Sequence, residues 1–246
     1  MENNFVIQVK NVGRSFAVPG GEFQALKGIY ADIAKGSLTI LKGRSGSGKT
    51  TLMNIIGTLD DPSSGEVWID GRPVKGMSER ERENLRRRDM GFVFQAVSLI
   101  PTMNAFQNVE FSMRMAGIKA GRERDRRVEE CLKLVGLGNR IHHMPAEMSG
   151  GEQQRVAIAR AIAHSPKLIL ADEPTAELDS AMAAQVTKLF HDMTRKEGIS
   201  ILMTPHDGCR RYDYRTGERG ARHKNRRRRV TDAGRNDTGG GPCKNI

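Results

Sequence analysis

Gly43-Arg44-Ser45-Gly46-Ser47-Gly48-Lys49-Thr50 is the stretch of sequence that decides the fold. It fits the pattern G-x-x-x-x-G-K-[S/T] and lies between a short apolar run at residues 38–41 and a helix-like segment at 49–57. Its glycines let the backbone curl around an anion, and successive amides at a helix start supply partial positive charge. Lys49 adds a full charge, and the Thr50 hydroxyl can ligate Mg²⁺. The stretch therefore predicts a nucleotide phosphate site without specifying the reaction.

The segments around this loop alternate between strand and helix patterns, which is typical of an α/β fold. Predicted strands cover residues 6–12, 38–41, 66–70, 91–94, 167–171 and 199–203. Predicted helices cover residues 49–57, 78–88, about 105–135, 181–196 and a segment that begins at Ser149. The charged run from Glu79 to Asp89 is interpreted as a solvated helix face. No internal repeat is present.

The charge and the apolar content of the chain restrict its function class. The net charge is +11, but residues 207–246 alone hold 12 Lys and Arg against 5 Asp and Glu, so the body is only mildly basic and no nucleic-acid partner is expected for it. No apolar run approaches the roughly 20 residues of a membrane span. We expect a cytoplasmic chain whose membrane role requires a partner. Cys131, Cys209 and Cys243 have no metal-ligand spacing.

Two acidic residues follow the apolar run Leu168-Ile169-Leu170-Ala171. In parallel α/β sheets, ligands bind at the carboxyl edge of the strands, so Asp172 and Glu173 are placed near the phosphate loop. Asp172 can reach Mg²⁺, and Glu173 can polarise a water beside the γ-phosphate. An isolated Asp-Glu pair would more simply be an acidic loop, and Lys49 in the same chain favours the catalytic interpretation.

Ser149-Gly150-Gly151-Glu152-Gln153-Gln154-Arg155 indicates a second phosphate-binding helix start. Ser149 and Glu152 have capping-box spacing, and the two glycines allow a close backbone approach. One subunit needs only one such helix start for each nucleotide. We therefore expect Ser149 to serve ATP held by another subunit.

This run resembles the signature sequence of ABC ATPases, and other motifs of that family follow in order. Gln95 resembles the glutamine of the family's glutamine loop, and Ala176-Glu177-Leu178-Asp179 resembles its dimer-contact loop. His206 resembles the switch histidine, and Phe16 the aromatic residue that stacks on adenine, although a lone aromatic residue is usually a packing residue. The resemblance covers about residues 5–206.

The resemblance implies a role for each matching residue. Glu173 is implied as the general base, with Lys49, Gln95 and His206 at the γ-phosphate. Thr50, Gln95 and Asp172 are implied as the residues that hold Mg²⁺. The implied ATP-binding residues are Phe16, Gly43, Ser45, Gly46, Ser47, Gly48, Lys49, Thr50, Thr51, Ser149, Gly150, Gly151 and Asp179. The implied fold is an α/β P-loop NTPase core with a mainly parallel sheet, a small N-terminal antiparallel β subdomain and an α-helical signature subdomain.

Finer motifs resemble one branch of the family. Three motifs resemble those in subunits of lipoprotein-release, macrolide-export and antimicrobial-peptide-resistance systems. They are Leu99-Ile100-Pro101, Asn108-Val109 and Ile55-Ile56-Gly57-Thr58-Leu59-Asp60. The branch implies a head-to-tail homodimer that closes on two ATP molecules. It also implies a separate transmembrane permease, export or extracytoplasmic mechanical work, and a peripheral location on the cytoplasmic face of the inner membrane.

We predict an ATPase domain at residues 1–206, with a helical subdomain at about 96–148 and a signature helix at 149–163. Pro205 departs from the family pattern, which usually has a small hydroxyl or aliphatic residue at this position. The proline removes a backbone donor beside His206. Residues 207–246 are rich in Arg and Gly and poor in large aliphatic residues, so we predict a disordered or frame-shifted tail, which resequencing of the coding DNA tests. The alternative for the tail is that it binds RNA or acidic lipid. The alternatives for the whole chain are a C-terminally defective or non-hydrolysing ATP-binding module, or a soluble ABC ATPase that acts on nucleic acid.

Overall fold

The computed structural model describes residues 4–205 and the backbone of three two-residue strands beyond them. Its strands are β1 (Phe5–Val18), β2 (Gly21–Ala34), β3 (Leu38–Lys42), β4 (Ser64–Ile69), β5 (Arg72–Pro73), β6 (Met90–Val93), β7 (Leu168–Ala171), β8 (Ser200–Met203), β9 (Tyr212–Asp213), β10 (Glu218–Arg219) and β11 (Lys244–Asn245). Its helices are α1 (Lys49–Ile56), α2 (Glu79–Asp89), α3 (Ala105–Met115), α4 (Arg122–Leu134), α5 (Gly150–Ile162) and α6 (Ser180–Glu197), with a 3₁₀ turn at Pro145–Glu147.

A parallel sheet with the order β11-β3-β8-β7-β6 forms the centre of the fold. Strands β7 and β8 are buried along their whole length, as expected for parallel strands covered on both faces. Because β3, β8 and β7 are neighbours, the segments that follow them emerge side by side at one edge. The phosphate loop, Thr204 and Asp172 therefore meet at that edge.

A second, antiparallel sheet with the order β2-β1-β4-β5 lies at the N-terminal side. Strands β1 and β2, each 14 residues long, form a hairpin in which Phe16 pairs with Phe23. Asp70 and Gly71, both with positive φ (47° and 78°), form the tight turn between β4 and β5. The prediction of a small antiparallel sheet beside a parallel core is thus confirmed.

Two hydrophobic clusters cover the two faces of the parallel sheet. Leu168, Leu170 and Leu202 pack with α1 and the antiparallel sheet, whereas Ile169 and Ile201 pack with the helices on the opposite face. This alternation follows the two-residue period of a strand. Each fully buried side chain of this size contributes about 1.5–3 kcal/mol, so the two clusters hold the site-bearing edge in place.

The helical region between β6 and β7 differs from its prediction in one respect. The sequence pattern predicts a continuous helix over about 105–135, whereas the structure has two helices, α3 and α4, with a break at residues 116–121. Gly117 and Gly121 have φ of 85° and 155°, which an α-helix does not accommodate. Buried Val109 and Leu132 join the two helices to the same cluster as α5. As predicted, α2 buries none of its residues.

Candidate nucleotide-binding site

The phosphate loop joins β3 to α1 and owes its shape to positive φ angles at Gly46 (76°) and Gly48 (86°). At Gly48 a Cβ would lie 2.7 Å from both the Ala25 carbonyl oxygen and Leu26 Cδ2. Gly48 is also the N-cap of α1 and offers no side-chain cap. The first amides of α1 therefore remain available to an anion.

Lys49 is buried in this loop, with 8% of its surface exposed. Its Nζ donates to the carbonyl oxygens of Gly43 and Arg44, at 2.9 and 3.0 Å. The buried Ser47 Oγ has no hydrogen-bond partner within residues 4–205. These groups together fit a phosphate chain: the Lys49 ammonium, the Ser47 hydroxyl and the uncapped amides at the start of α1.

Asp172 follows β7 and meets the start of α1 through its carboxylate. Thr50 Oγ1 donates to Asp172 Oδ2 at 2.7 Å, and Thr204 Oγ1 donates to Asp172 Oδ1 at 2.6 Å. Hydroxyl and carboxylate oxygens are the donors that Mg²⁺ prefers when most of its other ligands are waters and phosphates. No group of three or more His, Cys, Asp or Glu among the described residues is placed to hold a metal. The Thr50 hydroxyl and the Asp172 carboxylate fit Mg²⁺ whose remaining ligands are phosphate oxygens and waters.

Glu173 has a backbone conformation that side-chain-bearing residues rarely adopt, with φ of 45°. Its amide donates to Thr204 Oγ1 at 2.8 Å. Gln95 follows β6, the strand next to β7, and its Nε2 donates to Glu173 Oε2 at 3.5 Å. The structure therefore brings together Lys49, Thr50, Gln95, Asp172 and Glu173, as the sequence predicts.

The second helix start lies apart from this group. Ser149 N-caps α5 in a capping box with Glu152, and the Ser149 backbone amide holds the pKa of Glu152 below its usual range. At Gly151 a Cβ would lie 3.0 Å from the Glu177 carbonyl oxygen, so this position needs its glycine for a close backbone approach. Within residues 4–205, no hydrogen bond joins 149–151 to the phosphate loop.

Asp179 is the N-cap of α6 and accepts from the amides of Ala181 and Met182, at 2.9 and 3.0 Å. These amides, with that of Met182 foremost, hold the pKa of Asp179 below its usual range. Its carboxylate is exposed and serves its own helix in this structure. Its predicted contact with nucleotide stays a prediction.

Phe16 stands on the hairpin whose second strand contacts Gly48. Its ring is 37% exposed, and the Arg14 guanidinium lies 4.7 Å from the ring centroid. A partly exposed aromatic ring can stack on a base. The predicted stacking of Phe16 on adenine stays a prediction.

Two predictions on the end of the chain lie outside the described residues: the switch role of His206 and the nature of the tail 207–246. Pro205 itself is described and is partly buried. The amide of Thr204 donates to the Ala171 carbonyl oxygen at 3.0 Å, so the hydrogen bonding between β7 and β8 extends to Thr204, the residue before Pro205. Sequence reasoning missed Thr204 as a site residue, although its place after the strand next to β7 is a usable signal.

Fold and site together define a nucleotide-binding protein of the P-loop class. Residues 26–176 match the family model described as ABC transporter. The chain belongs to this family, whose members are ATP-binding cassettes with ATPase chemistry.

Relatives and solved structures agree with that assignment. An uncharacterised ABC transporter ATP-binding protein of Thermotoga maritima is 43% identical over 202 residues, which cover 82% of this chain and 86% of the relative. The lipoprotein-releasing system ATP-binding protein LolD of Maricaulis maris is 40% identical over 205 residues, or 83% and 89% of the two chains. The dimeric structure of the cassette MJ0796 from Methanocaldococcus jannaschii has a TM-score of 0.79 at 40% identity, covering 82% of this chain and 89% of that one.

Proposed function

We propose that this chain hydrolyses ATP as one half of a head-to-tail homodimer and drives a separate transmembrane permease. The observation that carries the proposal is the cluster around Asp172. There a lysine-bearing phosphate loop, a hydroxyl, a carboxylate and a second acid converge at one sheet edge. Such a cluster suits phosphoryl transfer to water, where catalysis rests on positioning and charge neutralisation.

The side chains divide the work as follows. Lys49 and the loop amides bind the phosphate oxygens, and Lys49 exchanges its carbonyl partners at Gly43 and Arg44 for them. Glu173 accepts a proton from the attacking water, and Gln95 orients the carboxylate of Glu173. Thr50 and Asp172 would hold Mg²⁺, which neutralises charge on the phosphates.

The proposal of a homodimer rests on the second helix start. Ser149, Gly150 and Gly151 form an exposed or half-exposed helix N-terminus that does not bond to the phosphate loop of its own chain. A helix N-terminus attracts phosphate, and Ser149 adds a hydroxyl donor. In a head-to-tail pair this surface faces ATP bound by the other copy. A related cassette whose solved structure is described as dimeric supports this arrangement.

Coupling to a permease is proposed for the segment between Gln95 and α3. Buried Asn108 accepts from the Ile100 amide and donates to the carbonyl oxygens of Ile100, Met103 and Asn104, so it fixes the segment's shape. Phe94, at 38% exposure, and partly buried Ile100 present apolar surface beside Gln95. A change at the γ-phosphate can therefore reach this surface through one residue. The relative LolD is the ATP-binding protein of a lipoprotein-releasing system, which supports export or extracytoplasmic mechanical work as the proposed task.

In the described part of the chain, no helix has the length and apolar character needed to cross a membrane.

The test is ATP turnover of the purified chain over a range of protein concentrations, with Lys49→Ala as control. We expect turnover to rise more than linearly with concentration and to vanish in the control. Strictly proportional turnover at concentrations where size-exclusion chromatography with ATP shows a monomer would contradict the dimer. Turnover that survives Lys49→Ala would contradict the site.

A further inference from the structure

Thr204 is fully buried, with no exposed surface, at the end of β8. Its hydroxyl makes two hydrogen bonds. It donates to Asp172 Oδ1 at 2.6 Å and accepts from the Glu173 amide at 2.8 Å. A threonine hydroxyl has one proton to donate, so this arrangement fixes its orientation. One buried atom thereby connects the two acids that end the neighbouring strand.

The register of the sheet explains why Thr204 reaches both acids. Ala171 pairs with Met203 in the parallel ladder of β7 and β8, which places Thr204 beside Asp172 one residue further on. The ladder then stops because Glu173 turns into the left-handed region, with φ of 45°. The amide of Glu173 can no longer find a strand carbonyl there. The Thr204 hydroxyl takes the place of that carbonyl.

We propose that Thr204 is a positioning residue that holds the Asp172 carboxylate and the Glu173 backbone in working geometry. The inference rests on the proposed function, in which Glu173 is the base. With Oδ1 held by Thr204, Oδ2 of Asp172 faces Thr50, the residue with which it would hold Mg²⁺. With its amide held, Glu173 keeps a strained conformation that an L-residue otherwise leaves. A base misplaced by about 1 Å loses up to about 100-fold in rate.

The test compares Thr204→Val, which keeps the shape and removes the hydroxyl, with Thr204→Ser, which keeps the hydroxyl. Thr187→Val is the matched control, because Thr187 is also buried (1% exposed) and its hydroxyl, within residues 4–205, bonds only to Ala183 of its own helix. All variants are assayed at a temperature at which circular dichroism shows them folded. We expect Thr204→Val to lower kcat about 10- to 100-fold at saturating ATP. It should also need a higher Mg²⁺ concentration for tight ATP binding, whereas Thr204→Ser and Thr187→Val stay within about threefold of wild type.

A readout without nucleotide keeps this test separate from the proposed function. Amide hydrogen exchange at Glu173, followed by mass spectrometry, should be at least tenfold faster in Thr204→Val and unchanged in Thr187→Val. Unchanged exchange at Glu173, or full kcat with unchanged Mg²⁺ dependence in Thr204→Val, would overturn the inference. If wild type and Glu173→Gln hydrolyse ATP equally, the base assignment fails, and the exchange result still decides the role of Thr204.

Discussion

The side chains of Thr50 and Asp172, which are 122 residues apart in the sequence, meet in a hydrogen bond of 2.7 Å. Thr50 lies in the first turn of α1, directly after the phosphate loop, and Asp172 lies one residue beyond β7. Strand β8 separates β3 from β7 in the sheet, so the contact spans the middle of the site edge. This bond joins the phosphate-binding half of the site to its acidic half.

The first prediction concerns Mg²⁺ at this junction. Asp172→Asn keeps the size of the side chain and an oxygen for Thr50, but removes the negative charge that a hard divalent cation prefers. We expect the Mg²⁺ concentration for half-maximal ATP turnover to rise about tenfold, which corresponds to about 1.4 kcal/mol of binding free energy. Asp192→Asn is the matched control, because Asp192 is a partly exposed residue of α6 paired with Lys188 and Lys196. An unchanged Mg²⁺ requirement in Asp172→Asn would remove Asp172 from the site.

The second prediction concerns the base. Glu173→Gln preserves the shape of the side chain and its contact with Gln95, but it cannot take a proton from water. We expect turnover to fall about 10²- to 10⁴-fold while ATP affinity stays within a few-fold of wild type. Dimers that form on ATP should then persist, which size-exclusion chromatography with ATP and Mg²⁺ measures. Fast turnover in this variant would refute Glu173 as the base.

The third prediction uses two glycines of the phosphate loop that share positive φ but differ in their surroundings. At Gly46 nothing lies within 4 Å of an added Cβ, so Gly46→Ala should cost only the left-handed backbone penalty, about 1–2 kcal/mol of unfolding free energy. Gly48→Ala adds contacts at 2.7 Å with Ala25 and Leu26 and should cost at least about 1 kcal/mol more. Urea unfolding of both variants measures the difference. If both variants lose the same unfolding free energy, the phosphate loop can move away from β2 and so avoid the contacts with Ala25 and Leu26.

Local patterns in the sequence were sufficient to predict the phosphate loop and the α5 cap. In both places the residues that act together are consecutive or three apart, as in the capping box of Ser149 and Glu152. The contact of Asp172 with Thr50 was also within reach, because carboxyl ends of parallel strands share an edge. The predicted contact of Asp179 with nucleotide stays a prediction.

Non-local geometry accounts for what the sequence did not predict. The function of the Thr204 hydroxyl depends on the register of β7 against β8 and on the left-handed turn at Glu173. No local sequence pattern predicts either of them. The first strand extends to Val18, beyond the predicted 6–12, because β2 pairs with it outside the core. The break between α3 and α4 was missed because apolar spacing continues on both sides of Gly117.

The last prediction concerns pH and His164. His164 is partly buried between α5 and β7, its Nε2 lies 2.9 Å from the Met90 carbonyl oxygen, and burial lowers its pKa despite the opposing effects of that carbonyl and Asp89. Below about pH 6.5 the unfolded chain therefore takes up a proton at this histidine that the folded chain resists. The free energy of unfolding should fall as pH drops from about 6.5 towards the lowered pKa, by at most about 1.4 kcal/mol per pH unit.

His164→Gln tests this directly, because its amide can still donate to Met90 but does not titrate. Urea unfolding between pH 7.5 and 5.5 should show a smaller loss of stability in His164→Gln than in wild type. His142→Gln, a change at an exposed histidine, should keep the wild-type loss. If His164→Gln and wild type lose stability in parallel, protons bind elsewhere over this range and His164 is not the group that senses them.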